Sequence, residues 1–223
     1  MRVVIFGASG MVGQGVLREC LQAPDVDAVL VVVRAPLGVV HPKLREVVHG
    51  DFFDYRAIEP VLSEYDACFF CLGVSAAGMD EARYTSLTHD LTLAAAGTLA
   101  QLCPGMVFVY VSGAGTDGSE QGRSMWARVK GRTENALQRL PFHAVYLFRP
   151  GFIEPVHGER SKTTLSRVVY RLSRPLIPLL RALFPRHILS TVTIGQAMLS
   201  VVRHGAPMPV LECPDIQRAA AHT

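Results

Sequence analysis

The segment RVVIFGASGMVGQGVL, residues 2–17, constrains the fold of this chain more than any other. An apolar, largely β-branched run leads into Gly7, Gly10 and Gly13, and a helical pattern follows. Each glycine has a task in a strand–turn–helix unit that holds a dinucleotide. Gly7 lets the chain turn sharply, Gly10 lets backbone approach a pyrophosphate, and Gly13 lets the helix pack on the strand. The first amides of that helix have no partner within it and aim their partial positive charge at the phosphates. Ser9 adds a hydroxyl beside them, and Met11 and Val12 open the helix.

The rest of the chain repeats the same alternation. The short apolar runs RVVIF, AVLVVV, EVVH, ACFFC, MVFVYV, HAVYLF and PVLEC read as strands, with helices starting near Met11, Arg83, Gly122, Thr163 and Thr191. Continuous apolar strands separated by helices predict an α/β doubly wound parallel sheet of Rossmann type, with its ligand at the carboxyl ends of the strands. At 223 residues and 49% apolar content the chain is expected to form one domain, 1–223. Pro150, Pro155, Pro175, Pro178 and Pro185 break the helical pattern late in the chain, so 151–190 reads as a substrate lid, and RAAAHT at the end reads as a frayed tail.

The second strand ends in Arg34, where a carboxylate would clasp the ribose 2′-hydroxyl of NAD and a cation pairs with the 2′-phosphate of NADP. NADP is therefore the expected cofactor and NAD the alternative. Asp51 either accepts from the adenine amino group or caps the segment after Phe53. The net charge of +3 is scattered, which gives no ground for nucleic-acid binding. Five dispersed cysteines read as reduced thiols. Cys68 and Cys71 spell CxxC, but a strand sends residues three apart to opposite faces, so they do not form a redox or metal pair. No metal-binding spacing occurs, and no metal is expected. Met1-Arg2 leads directly into the first strand without a cleavable signal, which makes cytoplasm the expected location.

Together GASGMVG, HGDFFD, CLG and FRPGFI resemble the atypical and extended members of the short-chain dehydrogenase/reductase superfamily, including the Tat-interacting-protein-like NAD(P)H-binding oxidoreductases. The resemblance covers most of the chain. It implies cofactor contacts from Gly7, Ser9, Gly10, Met11, Val12, Arg34, Asp51, Phe52, Leu72, Gly73, Val74 and Pro150. It also implies chemistry from a serine after the fifth strand and from a tyrosine and a lysine four residues apart. VYVSGAG supplies Ser112 and WARVKGRTE supplies Lys130, which would also bond the nicotinamide ribose. The tyrosine position holds Trp126. An indole N–H donates but does not titrate, so Trp126 cannot be the general acid. Three readings follow: hydride transfer with another proton source, cofactor binding without catalysis, or a site in which Trp126 stacks on a flat substrate ring.

Displaced acids are few. Tyr110 lies within the fifth strand and reads as packing, while Tyr84 reads as a helix-surface residue and the better of the two candidates. His89 reads as a surface or core histidine. A serine hydrolase is disfavoured because Tyr110 stands where a nucleophile elbow needs glycine. Ser161–Leu189 combines leucines with six cations and no acid. It reads as a lid closing an apolar pocket, with contact to a membrane surface or partner as the alternative, and its charges preclude a bilayer span. The leading expectation is an NADPH-dependent oxidoreductase acting on a small apolar carbonyl, enone or quinone-like substrate. The rival is a non-catalytic NADPH-binding regulatory or scaffold protein. No signature separates a dimer-forming helix from a core helix in this chain, so the oligomeric state is left open.

Overall fold

The computed structural model describes residues 1–159 and 188–222. Seven parallel strands form one sheet: β1 (Arg2–Phe6), β2 (Ala28–Val33), β3 (Leu44–Val48), β4 (Ala67–Phe70), β5 (Val107–Val111), β6 (Ala144–Arg149) and β9 (Val210–Glu212), in the order β3-β2-β1-β4-β5-β6-β9. These are the seven runs read as strands. The order reverses between β1 and β4, which opens a crevice above their carboxyl ends. A separate parallel pair, β7 (Phe152–Glu154) with β8 (Ile188–Ser190), was not expected from the sequence; three residues are too few for a period to show.

Residue alternation along the strands divides the interior into two layers. Val3, Ile5, Phe69 and Val109 face α1 (Met11–Gln22) and α6 (Thr191–His204), which pack together. Val4, Phe6, Phe70, Phe108 and Tyr110 face the other side, where α4 (Leu91–Leu102) and α5 (Met125–Leu137) lie. The rings there form a chain, with Phe6–Phe70, Phe70–Phe108 and Phe108–Phe142 centroids 5.4, 5.9 and 5.0 Å apart. Cys68 is in the aromatic layer and Cys71 packs against the opposite one, so the CxxC residues do face apart, and all five cysteines are free.

Further helices are α2 (Glu59–Leu62), α3 (Glu81–Thr85), joined to α4 through a π-helical turn at Ser86–Asp90, and α7 (Cys213–Ala220). The expected frayed tail is corrected by α7: Glu212 and Asp215 form a reciprocal capping box and Ile216 is fully buried, which together hold the last helix in place. Tyr84 is likewise not on the surface. At 2% exposure it is a core residue beneath the π turn. The helix start near Thr163, and the lid 151–190 apart from its two ends, lie outside the described residues.

Candidate functional site

Above the carboxyl ends of β1, β4 and β5 lies a cleft of about 310 Å³ that gathers most of the residues singled out in the sequence. Gly7, Ser9, Gly10, Met11 and Val12 line it from the glycine turn, Arg34 from the end of β2, Phe52 from beyond β3, Leu72, Gly73 and Val74 from the turn after β4, and Ser112 and Lys130 from its far side. Cys71 and Val111 also line it and were not anticipated.

The glycine turn is held by contacts that tolerate no side chain. A β-carbon on Gly13 would lie 2.2 Å from the carbonyl oxygen of Gly7, and one on Gly7, whose φ is +82°, would lie 2.7 Å from the backbone of Cys71 and Leu72. Gly10, the N-cap of α1, makes no side-chain capping bond, and no acidic residue occupies the first turn. The amides that open α1 therefore face the cleft with an uncancelled dipole, which fits a pyrophosphate.

Two of the expected contacts are placed at the margin. Asp51 is exposed and does not line the cleft; its Oδ1 accepts the Phe53 amide at 2.9 Å, a local turn. Pro150 is buried, and its carbonyl accepts the Ala114 amide at 2.9 Å, which braces the turn after β5.

The chemical end is built from side chains. Ser112 is 8% exposed, its amide donates to the Phe148 carbonyl, and its Oγ lies 3.0 Å from Thr116 Oγ1. Thr116, which the sequence reading missed, donates in turn to the Gly113 carbonyl at 2.8 Å, so Ser112 Oγ donates to Thr116 and presents its lone pairs to the cleft. Lys130 Nζ stands 5.4 Å above the centre of the Tyr110 ring. Burial pushes its ammonium down to about 8, partly opposed by Glu134 one helical turn on. Glu134 is itself buried at 1% exposure and clasps Arg149 through two hydrogen bonds, Nη2–Oε2 at 2.6 Å and Nε–Oε1 at 3.1 Å; Arg149 Nη1 also reaches Glu212 at 3.3 Å. This charge network behind Lys130 joins α5, β6 and the cap of α7. Nothing in the spacing of its residues announces it.

Trp126 does not line the cleft. Its six-membered ring packs on the turn after β5, where a β-carbon on Gly115 would meet Cη2 at 3.6 Å. No phenol takes its place at the cleft among the described residues, since Tyr84 and Tyr110 are buried, and burial raises both hydroxyls above their ordinary range. His89 pairs with Asp90 at 2.8 Å and stays outside. No cluster of three metal-ligating side chains occurs among the described residues, and no helix among them is long and apolar enough to cross a membrane.

Comparison with known proteins bears on the family and the fold. The protein fmp52 of Emericella nidulans, named as mitochondrial, is 28% identical over 176 residues, covering 76% of this chain and 72% of its own. The rat protein HTATIP2 is 27% identical over 154 residues, covering 68% and 62%. Among solved structures, the Bordetella bronchiseptica enzyme WbmF in complex with NAD+ superposes with a TM-score of 0.69 at 17% identity, over 99% of this chain and 76% of that one, which is a likeness of fold. The expected cytoplasmic location is overturned by the fungal relatives, which are named as mitochondrial; a short residue count before the first strand says nothing about other routes of targeting. The resemblance to atypical short-chain reductases holds. Residues 3–138, more than half of the chain, match the model of the NAD dependent epimerase/dehydratase family, and the chain belongs to that family.

Proposed function

We propose that this chain is an NADP-dependent oxidoreductase of atypical short-chain type that reduces a small apolar carbonyl, enone or quinone-like acceptor. The observation that carries the reading is the position of Lys130. It shares one cleft with the glycine turn and Ser112, and burial pushes its ammonium down to about 8. A proton donor works best when its pKa lies near the working pH.

The glycine turn, Met11, Val12, Leu72, Gly73 and Val74 bind the dinucleotide, and Arg34 selects the 2′-phosphate, with NAD the alternative if that pairing fails. Phe52 packs at the nucleotide side, with Asp51 and Pro150 as outer supports. When bound, the nicotinamide supplies hydride to the acceptor. Ser112 Oγ orients the acceptor oxygen by turning its proton from Thr116 Oγ1, 3.0 Å away, to that oxygen. Lys130 Nζ carries the proton that the reduced oxygen takes up, the role that a phenol at position 126 would otherwise share. The chain acts as one domain, and the residues after Gly151 cover the acceptor as a lid.

A second reading is favoured by Trp126. With the indole packed on the turn and Tyr84 and Tyr110 buried, the chain binds NADPH as a regulatory protein and does not turn it over. Calorimetric titration with NADPH and NADH, paired with NADPH oxidation against a panel of carbonyls and quinones, separates the two. Turnover abolished by Lys130→Met supports the oxidoreductase; tight binding with no turnover on any acceptor supports the rival. In the same titration Arg34→Ala weakens NADPH about tenfold or more and leaves NADH unchanged, the loss expected for a hydrogen-bonded charge pair. Equal effects on both cofactors would remove the NADP preference.

A further inference from the structure

Residues 34–43 join β2 to β3 without a helix or strand of their own, and Arg34 is the first of them. Residues 34–36 and 38–40 are exposed, so burial fixes none of that backbone. Leu37 is the exception. Its side chain packs against the α1 layer of the core, and its amide donates to Glu46 Oε2 at 2.8 Å. Glu46 is itself held in place, because it lies in the middle of β3 in register with Val31 of β2. A carboxylate acceptor makes this a charge-assisted bond, the stronger kind.

Arg34 needs such support. It is exposed and, among the described residues, its guanidinium has no hydrogen bond or ion pair, so ordering it on a ligand costs rotamer entropy. The link from Leu37 back to Arg34 is stiff: Pro36 has a fixed φ, and Ala35 before it is confined to extended backbone. Sheet pairing of Val33 fixes the chain on the entry side of Arg34, and the bond to Glu46 fixes it on the exit side. Arg34 lines the cofactor cleft, whereas Glu46 does not.

We infer that Glu46 is a positioning residue for cofactor selection: through the Leu37 amide it holds the loop that presents Arg34 to the 2′-phosphate. This rests on the proposed role of Arg34. A carboxylate near a phosphate would by itself oppose the ligand, so simple electrostatics predicts tighter NADPH binding when Glu46 is removed. Loss of the anchor predicts the reverse sign.

Calorimetric titration of the full chain with NADPH and NADH tests it on Arg34→Ala, Glu46→Ala, Glu46→Gln and the double variant Arg34→Ala/Glu46→Ala. Glu46→Ala is expected to weaken NADPH about threefold to tenfold, less than Arg34→Ala does, because a loop competent for part of the time lowers affinity by that fraction. NADH binding is unchanged, which also reports an intact fold. In the double variant the loss due to Glu46 disappears, since the group that it positions is gone. Glu46→Gln keeps an acceptor oxygen and retains most of the NADPH affinity. Hydrogen exchange of the Leu37 amide reads the anchor directly and is faster in Glu46→Ala. Where Arg34→Ala weakens NADPH, any of four results overturns the role of Glu46 alone: NADPH affinity unchanged or tighter in Glu46→Ala, an equal loss on both cofactors, a loss that persists in the double variant, or unaltered exchange at Leu37. An Arg34→Ala variant that binds NADPH as well as the natural protein strikes the cofactor reading first, and the role of Glu46 with it.

Discussion

The nucleotide end of the cleft and its chemical end sit on the same sheet, yet they are held by different parts of the chain. At the nucleotide end the fit comes from backbone: Gly7 and Gly13 touch so closely that a β-carbon would fall 2.2 Å from a carbonyl oxygen, and helix amides provide the charge complement. At the chemical end it comes from side chains that must each be placed, with Ser112 fixed by Thr116, and Lys130 backed by the Glu134–Arg149 pair. A backbone site survives most substitutions around it, whereas a proton-transfer site is changed by one. Under the proposed reading Trp126, at the position where the resemblance implies a tyrosine, is that one change, and it does not line the nucleotide end.

Restoring a phenol is the most direct way to break the contrast. Trp126→Tyr is expected to raise the rate of NADPH oxidation by about 10²–10⁴-fold, the usual contribution of a positioned general acid, read in single-turnover assays with the best acceptor from the panel. No gain, with the variant folded and NADPH bound, would show that the chemical end is not limited by the missing hydroxyl. Next in size is the charge network. Glu134→Gln strips Arg149 of its buried partner and is expected to cost about 3–5 kcal/mol in urea unfolding, the range for breaking a buried ion pair. A loss below about 1 kcal/mol, the value of a surface pair, would mean that Glu212 alone suffices for Arg149.

Gly13→Ala tests the backbone end. The added methyl must displace the Gly7 carbonyl, so a loss of about 1–3 kcal/mol in stability is expected, as for other overpacked sites, together with weakened NADPH binding. Gly50→Ala, where a β-carbon meets nothing within 4 Å, serves as the control. If the two variants bind NADPH equally well, the close approach at Gly13 is not what shapes the cradle.

The same division explains what was legible in the sequence. Backbone sites are written locally: GASGMVG alone identified the turn, and the apolar runs identified all seven strands of the main sheet, because buried parallel strands need continuous apolar stretches. Ser112, Trp126 and Lys130 were legible only through resemblance to a known motif. Thr116 was not legible because no motif marks its pairing within the turn after β5, and Glu134 and Arg149 were not legible because their partners come from separate elements brought together by the fold. Glu134 reads as an ordinary charge on a helix face until β6 delivers Arg149 to it. The end of the chain misled for a related reason. RAAAHT is featureless by itself, and its helix depends on the capping box upstream and on the burial of Ile216.

The pH-dependent effect concerns Lys130, and it tests whether the chemical end is poised for proton transfer. Burial holds its folded-state pKa at about 8, below the ordinary 10.5. Between those values the unfolded chain binds a proton that the folded chain does not, so the contribution of Lys130 to stability rises with pH from about 8 to 10.5. Below pH 8 the cost of the buried cation is present in full. Lys130→Met removes that cost while keeping the length of the side chain. The variant is expected to exceed the natural protein in stability most at pH 7, and the gap is expected to close by pH 10, as read from urea unfolding at pH 7, 8.5 and 10. In the natural protein, reductase turnover should fall as pH rises through 8, when Nζ loses the proton that it donates. A stability gap that stays constant across this range would show that Lys130 keeps an ordinary lysine pKa, and the proton at the chemical end would then have to come from Ser112 and Thr116 alone.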